Sequence, residues 1–211
     1  MSRVAGRGMV VAGALLLASQ VPAQAQQQDT SYTPHGFISM RYDSWTSSNI
    51  YVGYTVGPVR LMGALVSNPR TGYREHILGV VKPVDINAHV SFTFAVAGAK
   101  AIDAWYAQYY ILPSFTLGPV ELNGTFEQYI PLEEAGITQY GFNPANLFLS
   151  VNKHFRVGGV AVWAAATDVP HVFGAGPSAQ IRIPQGYITV DGVMGVTRYE
   201  SEWRVSFFTS Y

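Results

Sequence analysis

Apolar and polar residues alternate with a period of two at the carboxyl end of the chain. One set of alternate positions holds Trp203, Val205, Phe207, Thr209 and Tyr211. The intervening positions are mostly polar, with Phe208 as the exception. Because successive side chains of a β-strand point to opposite faces, this pattern predicts a strand over residues 203–211 with one apolar face.

The same alternation recurs upstream and predicts twelve strands in all. The predicted strands are 38–42, 51–56, 59–66, 77–81, 89–96, 105–116, 120–128, 147–153, 160–166, 179–183, 187–194 and 203–211. About ten residues suffice for a tilted strand to cross a bilayer. The sequence therefore predicts an all-β chain, a single closed antiparallel up-and-down transmembrane barrel of twelve strands. Ten or eight strands are the alternatives.

The amino terminus has the order of a secretory signal. Arg3 and Arg7 precede an apolar run from Met9 to Ala18, and small residues end at Ala25. The run is about half as long as a spanning helix requires, so we expect cleavage of residues 1–25. Residues 26–34 are then an amino-terminal lead in the periplasm, and residues 35–211 form the barrel. No later apolar stretch is long enough for a spanning helix, so a closed sheet is the remaining way to cross a membrane.

Composition supports contact with lipid rather than with nucleic acid. Charged residues make up 12% of the chain, against about 25% in an ordinary soluble domain, and aromatic residues make up 13%. Without residues 1–25 the 13 basic residues fall by two to 11, beside 13 acidic ones. The mature charge of about −2 implies no nucleic-acid partner. No cysteine is present, so thiolate chemistry is excluded.

Short and long connections alternate between the predicted strands. Tight turns are predicted at 57–58, 82–85, 118–119, 157–159 and 184–186, and longer polar loops at 44–49, 68–74, 98–103, 131–146, 167–176 and 198–202. Outer-membrane barrels have short periplasmic turns and longer outer loops. The alternation therefore predicts that both termini lie on the periplasmic side.

The last strand resembles the carboxy-terminal signal of bacterial outer-membrane β-barrel proteins. A terminal aromatic residue, Tyr211, is preceded at alternate positions by Phe207, Val205 and Trp203, although Thr209 stands where a larger apolar residue is more usual. The resemblance implies insertion into the outer membrane by the barrel-assembly machinery, with outer-membrane lipids as partners. In length and strand count the chain is similar to small twelve-stranded channels such as the oligogalacturonate-specific porin family.

Alternation also predicts which polar side chains face the interior. The candidates for lining the lumen are Arg41, Asp43, His89, Ser91, Gln108, Glu127, Asn152, His154, Arg182, Asp191 and Arg204. Twelve strands lie between about eight, which side chains fill, and about sixteen, which leave an aqueous channel. We therefore predict a narrow channel for passive diffusion of small hydrophilic solutes. The alternative is a barrel plugged by ion pairs and hydrogen bonds, with a structural or interaction role.

A third hypothesis is a lipid-modifying enzyme. His89 and Ser91 share a strand face, and the pair resembles the His-x-Ser pair of outer-membrane lipid A deacylases, with Asp103 in the position of the family's acid. His89 follows a predicted tight turn whereas Asp103 belongs to an outer loop, so the pattern favours a protein that is not an enzyme. The remaining histidines are scattered, and we predict neither a metal site nor a cofactor.

Overall fold

The computed structural model describes residues 35–211 with the exception of 46, 103, 135, 136 and 168. The predicted signal peptide (1–25), the lead (26–34) and Asp103 lie outside the described residues. The strands are β1 (Gly36–Asp43), β2 (Ser48–Val56), β3 (Val59–Asn68), β4 (Tyr73–Asn87), β5 (Val90–Ala101), β6 (Ala104–Leu117), β7 (Val120–Pro131), β8 (Gln139–Ser150), β9 (Phe155–Ala166), β10 (Val169–Ile183), β11 (Gly186–Thr197) and β12 (Glu202–Ser210). In this part of the chain no helix is long and apolar enough to span a membrane.

The twelve strands close into one barrel. Each strand pairs antiparallel with its neighbours in sequence, and β1 pairs with β12 to complete the circle. The closing seam runs in register from Phe37 opposite Ser210 to Asp43 opposite Arg204. A closed sheet leaves no unpaired strand edge, which is the condition for a sheet in lipid. The predicted all-β, twelve-stranded antiparallel barrel is confirmed.

Connections of two kinds define the two ends of the barrel. One end, here the turn end, holds Gly36, Tyr211 and the five connections 57–58, 88–89, 118–119, 151–154 and 184–185. The opposite end, here the loop end, holds the six connections 44–47, 69–72, 102–103, 132–138, 167–168 and 198–201. An even number of strands places both ends of the barrel chain on the same side.

Two predicted tight turns are wrong. β4 continues through 82–85 to Asn87, with Pro83 opposite Thr93, and the chain turns at 88–89. The glycines at 157–159 lie inside β9, while the turn occupies 151–154. A Cβ on Gly158 would overlap the backbone carbonyl of Leu147 in β8. The glycine therefore marks a close approach of two strands rather than a turn.

The loops at 98–103, 131–146 and 167–176 are shorter than predicted. β5 extends to Ala101, β8 begins at Gln139 and β10 begins at Val169. In β8 the pairing with β9 shifts between Phe142 and Ala145, so Asn143 and Pro144, which lie within the predicted loop, belong to an irregular strand.

The outer surface of the barrel is apolar on strand after strand. In β2, for example, Ile50, Val52, Tyr54 and Val56 are exposed, while Tyr51 and Gly53 between them are buried. Exposed apolar surface on this scale is typical of contact with a membrane. The inward side chains are mixed, with aromatic and aliphatic residues along β1 to β7. At the turn end, Phe208 faces inward and stacks on Phe37 and Tyr187.

Candidate functional site

Seven of the eleven candidate lumen residues are buried inside the barrel. They are Arg41, Asp43, Ser91, Gln108, Glu127, Asp191 and Arg204. Each alternates with exposed or half-buried neighbours on its strand, so its side chain points away from the outer surface. Together they come from six different strands, on both sides of the barrel axis.

The other four candidates lie at the turn end. His89 and His154 are exposed turn residues that line the mouth of the interior, and Arg182 lines it from β10. Asn152 does not reach the lumen wall, because residues 151–154 are a turn and not the end of a strand. Its Oδ1 accepts hydrogen bonds from the backbone N–H groups of His154 (2.8 Å) and Phe155 (2.9 Å). Its role there is to shape the turn.

A chain of hydrogen bonds joins β4 and β6 in the interior. Gln108 donates from Nε2 to Glu75, and its Oε1 accepts from the Tyr110 hydroxyl. The second Glu75 oxygen accepts from the Tyr73 hydroxyl at 2.9 Å. On the neighbouring strand, the Tyr129 hydroxyl lies 3.4 Å from Glu127. The tyrosine rings have room because the inward residues of β5 between Ala95 and Ala101 are all alanine.

Arg204 is the centre of a second network, near the loop end. It forms a salt bridge with Glu202 and donates to Asn143 Oδ1 at 2.8 Å and to the Tyr199 hydroxyl at 2.6 Å. The Tyr199 hydroxyl in turn donates to Glu202. Burial raises the pKa of Tyr199, so this phenol stays protonated and keeps donating.

Two further carboxylates flank Arg204 in the wall. In the strand register, Asp43 on β1 and Asp191 on β11 are its direct neighbours. Asp191 accepts from Ser178 Oγ at 2.5 Å and is 3.4 Å from Asn146 Nδ2. The positive charge of Arg204 is thus surrounded by acids.

A cavity with a mixed polar and apolar lining opens at the turn end, and we refer to it as the vestibule. Its volume is about 1030 Å³. Glu121 lies in its wall, joined by a salt bridge to Arg156 and 3.8 Å from the Arg182 guanidinium. Arg156 also donates to Gln180 Oε1 at 3.0 Å. The cavity is also lined by Asp85, Lys153 and the two histidines His89 and His154. Both signs of charge are present, as expected from the sequence.

Beyond the vestibule the interior is closed. Glu75 and Gln108 have 0% of their surface exposed, Arg204 1%, Glu127 2% and Arg41 4%. An open, water-filled bore would leave the side chains on its wall exposed. These values therefore describe side chains packed against one another across the barrel in this conformation.

Several interior residues were missed by the sequence analysis. Glu75 and Arg156 lie in strands whose starts were predicted too late, at 77 and 160. In both cases the alternation continues upstream, with Tyr73, Glu75 and Ile77 buried on one side of β4. Glu121 lies within a predicted strand. It is an even number of residues from Glu127, so the alternation places both side chains on the same face and could have identified Glu121 as an interior residue.

The geometry gives little support to a His89–Ser91 catalytic pair. The Ser91 hydroxyl is buried and has no hydrogen-bond partner among the described residues. His89 is exposed in the turn, where its backbone N–H donates to Asn87 Oδ1. A serine nucleophile requires a base within hydrogen-bond reach, and His89 does not accept a bond from Ser91 here.

Comparison with solved structures identifies the architecture. The KdgM porin superposes with a TM-score of 0.61 at 9% identity, over 83% of this chain and 99% of that one. A second structure of the KdgM porin, in complex with disordered oligogalacturonate, superposes with the same TM-score of 0.61 at 10% identity. The NanC porin superposes with a TM-score of 0.56 at 10% identity, over 83% of this chain and 98% of that one. The fold is that of an outer-membrane porin.

At identities this low the likeness concerns the fold alone. Sequence comparison adds nothing to it, because no protein-family model and no curated protein matches the chain. The porin-like barrel described here nevertheless has its own interior, made of the Glu75, Arg204 and Glu121 networks.

Proposed function

We propose that this chain is a porin-like channel of the bacterial outer membrane, through which small hydrophilic solutes diffuse passively. The observation that carries the proposal is the vestibule, because it leads from the turn end onto an interior lined by charged and amide side chains. A passage for polar solutes needs such groups in place of lost hydration. The turn end faces the periplasm, so both termini are periplasmic and the loop end faces outward.

Incomplete hydrogen bonding in the interior supports a hydrated passage. Asp43 Oδ2, Tyr51 OH, Asn143 Nδ2 and Ser206 Oγ are buried without a hydrogen-bond partner among the described residues. Buried polar atoms in a purely structural core are almost always paired. Atoms of this kind are available to water or to a passing solute after small side-chain movements.

The balance of charge argues against a dedicated pathway for acidic sugars. Two arginines, Arg41 and Arg204, face the middle of the barrel. The carboxylates around them are Asp43, Glu75, Glu127, Asp191 and Glu202. A lining in which acids outnumber cations would not attract an oligogalacturonate, so we propose a narrow passage that is not selective for acidic sugars.

The last strand is suited to the proposed route of assembly. Trp203, Val205 and Tyr211 are exposed on the outer face, and Phe207 on the same face is half-buried. The barrel-assembly machinery would read this outward row after export directed by the signal peptide. The channel hypothesis needs no catalytic group.

A closed barrel with a structural or interaction role is the second candidate. It is favoured by the almost complete burial of Glu75, Gln108 and Arg204, which leaves no open bore in this conformation. On this hypothesis the networks act as a plug, and the vestibule is a blind cavity.

Reconstitution into planar bilayers separates the two candidates. The channel hypothesis predicts discrete conductance steps at moderate voltage and swelling of protein-containing liposomes in small sugars. Liposomes prepared identically without protein serve as the control. A folded protein that shows neither conductance nor swelling over a range of voltages and sugar sizes would reject the channel in favour of the closed barrel.

A further inference from the structure

The outer wall of β4 and β5 carries a group of basic side chains near the loop end. Arg74 and His76 are exposed on β4, where the alternate residues Tyr73 and Glu75 are buried, so both point outward. Lys100 is exposed on β5 and pairs directly with His76. We call Arg74, His76 and Lys100 the outer basic patch.

The three side chains are close enough to contact one phosphate group. Arg74 and His76 are two residues apart on one face, which separates them by roughly 7 Å. Directly paired residues such as His76 and Lys100 have Cβ atoms about 5 Å apart. No salt bridge joins Arg74 or Lys100 to a carboxylate in the described part of the chain.

The charge of this patch differs from that of the strands around it. All the described strand carboxylates lie inside the barrel or at the vestibule, namely Asp43, Glu75, Asp85, Glu121, Glu127, Asp191 and Glu202. The outer basic patch therefore lies on strands that carry no outward-facing carboxylate among the described residues. A cationic group on an apolar wall is complementary to an anionic lipid headgroup.

The depth of the patch also fits a headgroup. Lys100 Nζ lies 5.6 Å from the ring centre of Trp105, which is exposed on the same wall. Tryptophan is enriched at the level where the acyl region meets the headgroups. The patch thus occupies the interface, with Leu78 next in line towards the middle of the wall.

Grooves suitable for acyl chains continue from the patch. Leu78 is 76% exposed and lies between Gly63 on β3 and Gly98 on β5. A Cβ on Gly98 would meet no atom within 4 Å, and one on Gly63 would meet only Leu78 itself, at 3.7 Å. Because neither glycine has a side chain, the outer surface has a groove on each side of the projecting Leu78 side chain.

From these observations we infer that the outer basic patch is a binding site for the phosphate of a phosphorylated lipid in the leaflet at the loop end, with its acyl chains along the glycine grooves beside Leu78. The inference goes beyond the proposed function, since it requires a membrane barrel but not a conducting one. With the loop end outward, a phosphorylated glycolipid of the outer leaflet has the required chemistry.

The test measures binding of diphosphorylated lipid A to the folded full-length barrel in detergent by native mass spectrometry. The variant is Arg74→Gln combined with Lys100→Gln. Lys82→Gln is the matched control, because Lys82 is exposed on β4 at the turn end. Loss of two cations at the interface is expected to weaken binding about 30-fold. Lys82→Gln is expected to keep the wild-type affinity.

Three results would overturn the inference. They are equal binding by the double variant and the wild type, an equal loss in Lys82→Gln, and equal binding of dephosphorylated lipid A. So would an affinity of the wild type for inorganic phosphate alone that equals its affinity for the lipid, because the acyl chains would then add nothing to binding. Slow migration of the unheated barrel in gels verifies that each variant is folded. None of these outcomes depends on bilayer conductance, so the inference and the channel proposal can fail separately.

Discussion

Arg204 and Glu202 lie two residues apart on β12 and form a salt bridge inside the barrel, with 1% and 0% of their side-chain surfaces exposed. Glu202 also accepts a hydrogen bond from the Tyr199 hydroxyl, and that hydroxyl accepts a hydrogen bond from Arg204. The pair therefore fixes the last strand to the loop that precedes it, next to the seam where β12 meets β1.

Removal of Glu202 is expected to destabilise the barrel strongly. Glu202→Ala removes the carboxylate that forms the salt bridge with the buried Arg204 guanidinium, and breaking a buried pair typically costs about 3 to 5 kcal/mol. Urea unfolding in lipid vesicles, followed by tryptophan fluorescence, measures the change. Ser206→Ala is the control, since the Ser206 hydroxyl is buried on the same strand without a described partner. Equal unfolding midpoints for the two variants would contradict the assigned role of the pair.

A methyl group at Gly36 is expected to disturb the closing seam. A Cβ there would lie 2.6 Å from Tyr211 Cζ and would also meet the Gly53 carbonyl. Overpacking of this kind costs about 1 to 3 kcal/mol, so Gly36→Ala should lower the unfolding midpoint. Gly98→Ala adds the same methyl where no atom lies within 4 Å, and it should be near neutral. The prediction is wrong if Gly98→Ala is the more damaging change.

Two tyrosines are expected to set the width of the proposed passage. The rings of Tyr110 and Tyr129 meet edge to face with centres 6.3 Å apart, and both are buried in the interior. The double variant Tyr110→Ala/Tyr129→Ala removes both rings and should raise single-channel conductance severalfold. Tyr109→Ala, which removes an exposed ring on the same strand, should leave conductance unchanged. Identical conductance in all three proteins would refute a constriction at this level.

The Ser91 hydroxyl is expected to have no catalytic role. Ser91→Ala should leave the acylation of lipid A unchanged when wild type and variant are expressed at equal levels in the same cells. Mass spectrometry of extracted lipid A provides the measurement. The reason is the missing bond between Ser91 and the exposed His89. If lipid A lost an acyl chain in cells that express the wild type but not in cells that express Ser91→Ala, the result would support the enzyme hypothesis.

Substitution of Phe207 is expected to slow assembly of the barrel in cells more than substitution of its cross-strand neighbour Met40. The two residues are paired across the β1–β12 seam and both face outward, so serine at either position removes a similar lipid contact. If the machinery reads the last strand, Phe207→Ser should slow folding in cells more than Met40→Ser. Accumulation of the heat-modifiable folded form over time measures this. Similar delays for both variants would indicate that only lipid contact is lost.

The number of strands and the faces of most of them follow from the sequence alone. Alternation is a local property, because neighbouring side chains in a strand point to opposite sides whatever the partner strand. That is why Arg41, Gln108, Glu127 and Asp191 could be assigned to the interior. Even Phe208, an apolar residue at one of the otherwise polar alternate positions, faces inward as its position in the alternation predicts.

Strand ends and interior contacts were decided by the tertiary structure. Gly158 resembles a turn residue in sequence, yet the close carbonyl of Leu147 is the reason for a glycine there. Glu75, Gln108 and Tyr110 meet only because the register brings β4 and β6 across β5. A period of two cannot specify which inward groups touch or whether they close the lumen, because those contacts depend on the curvature of the closed sheet.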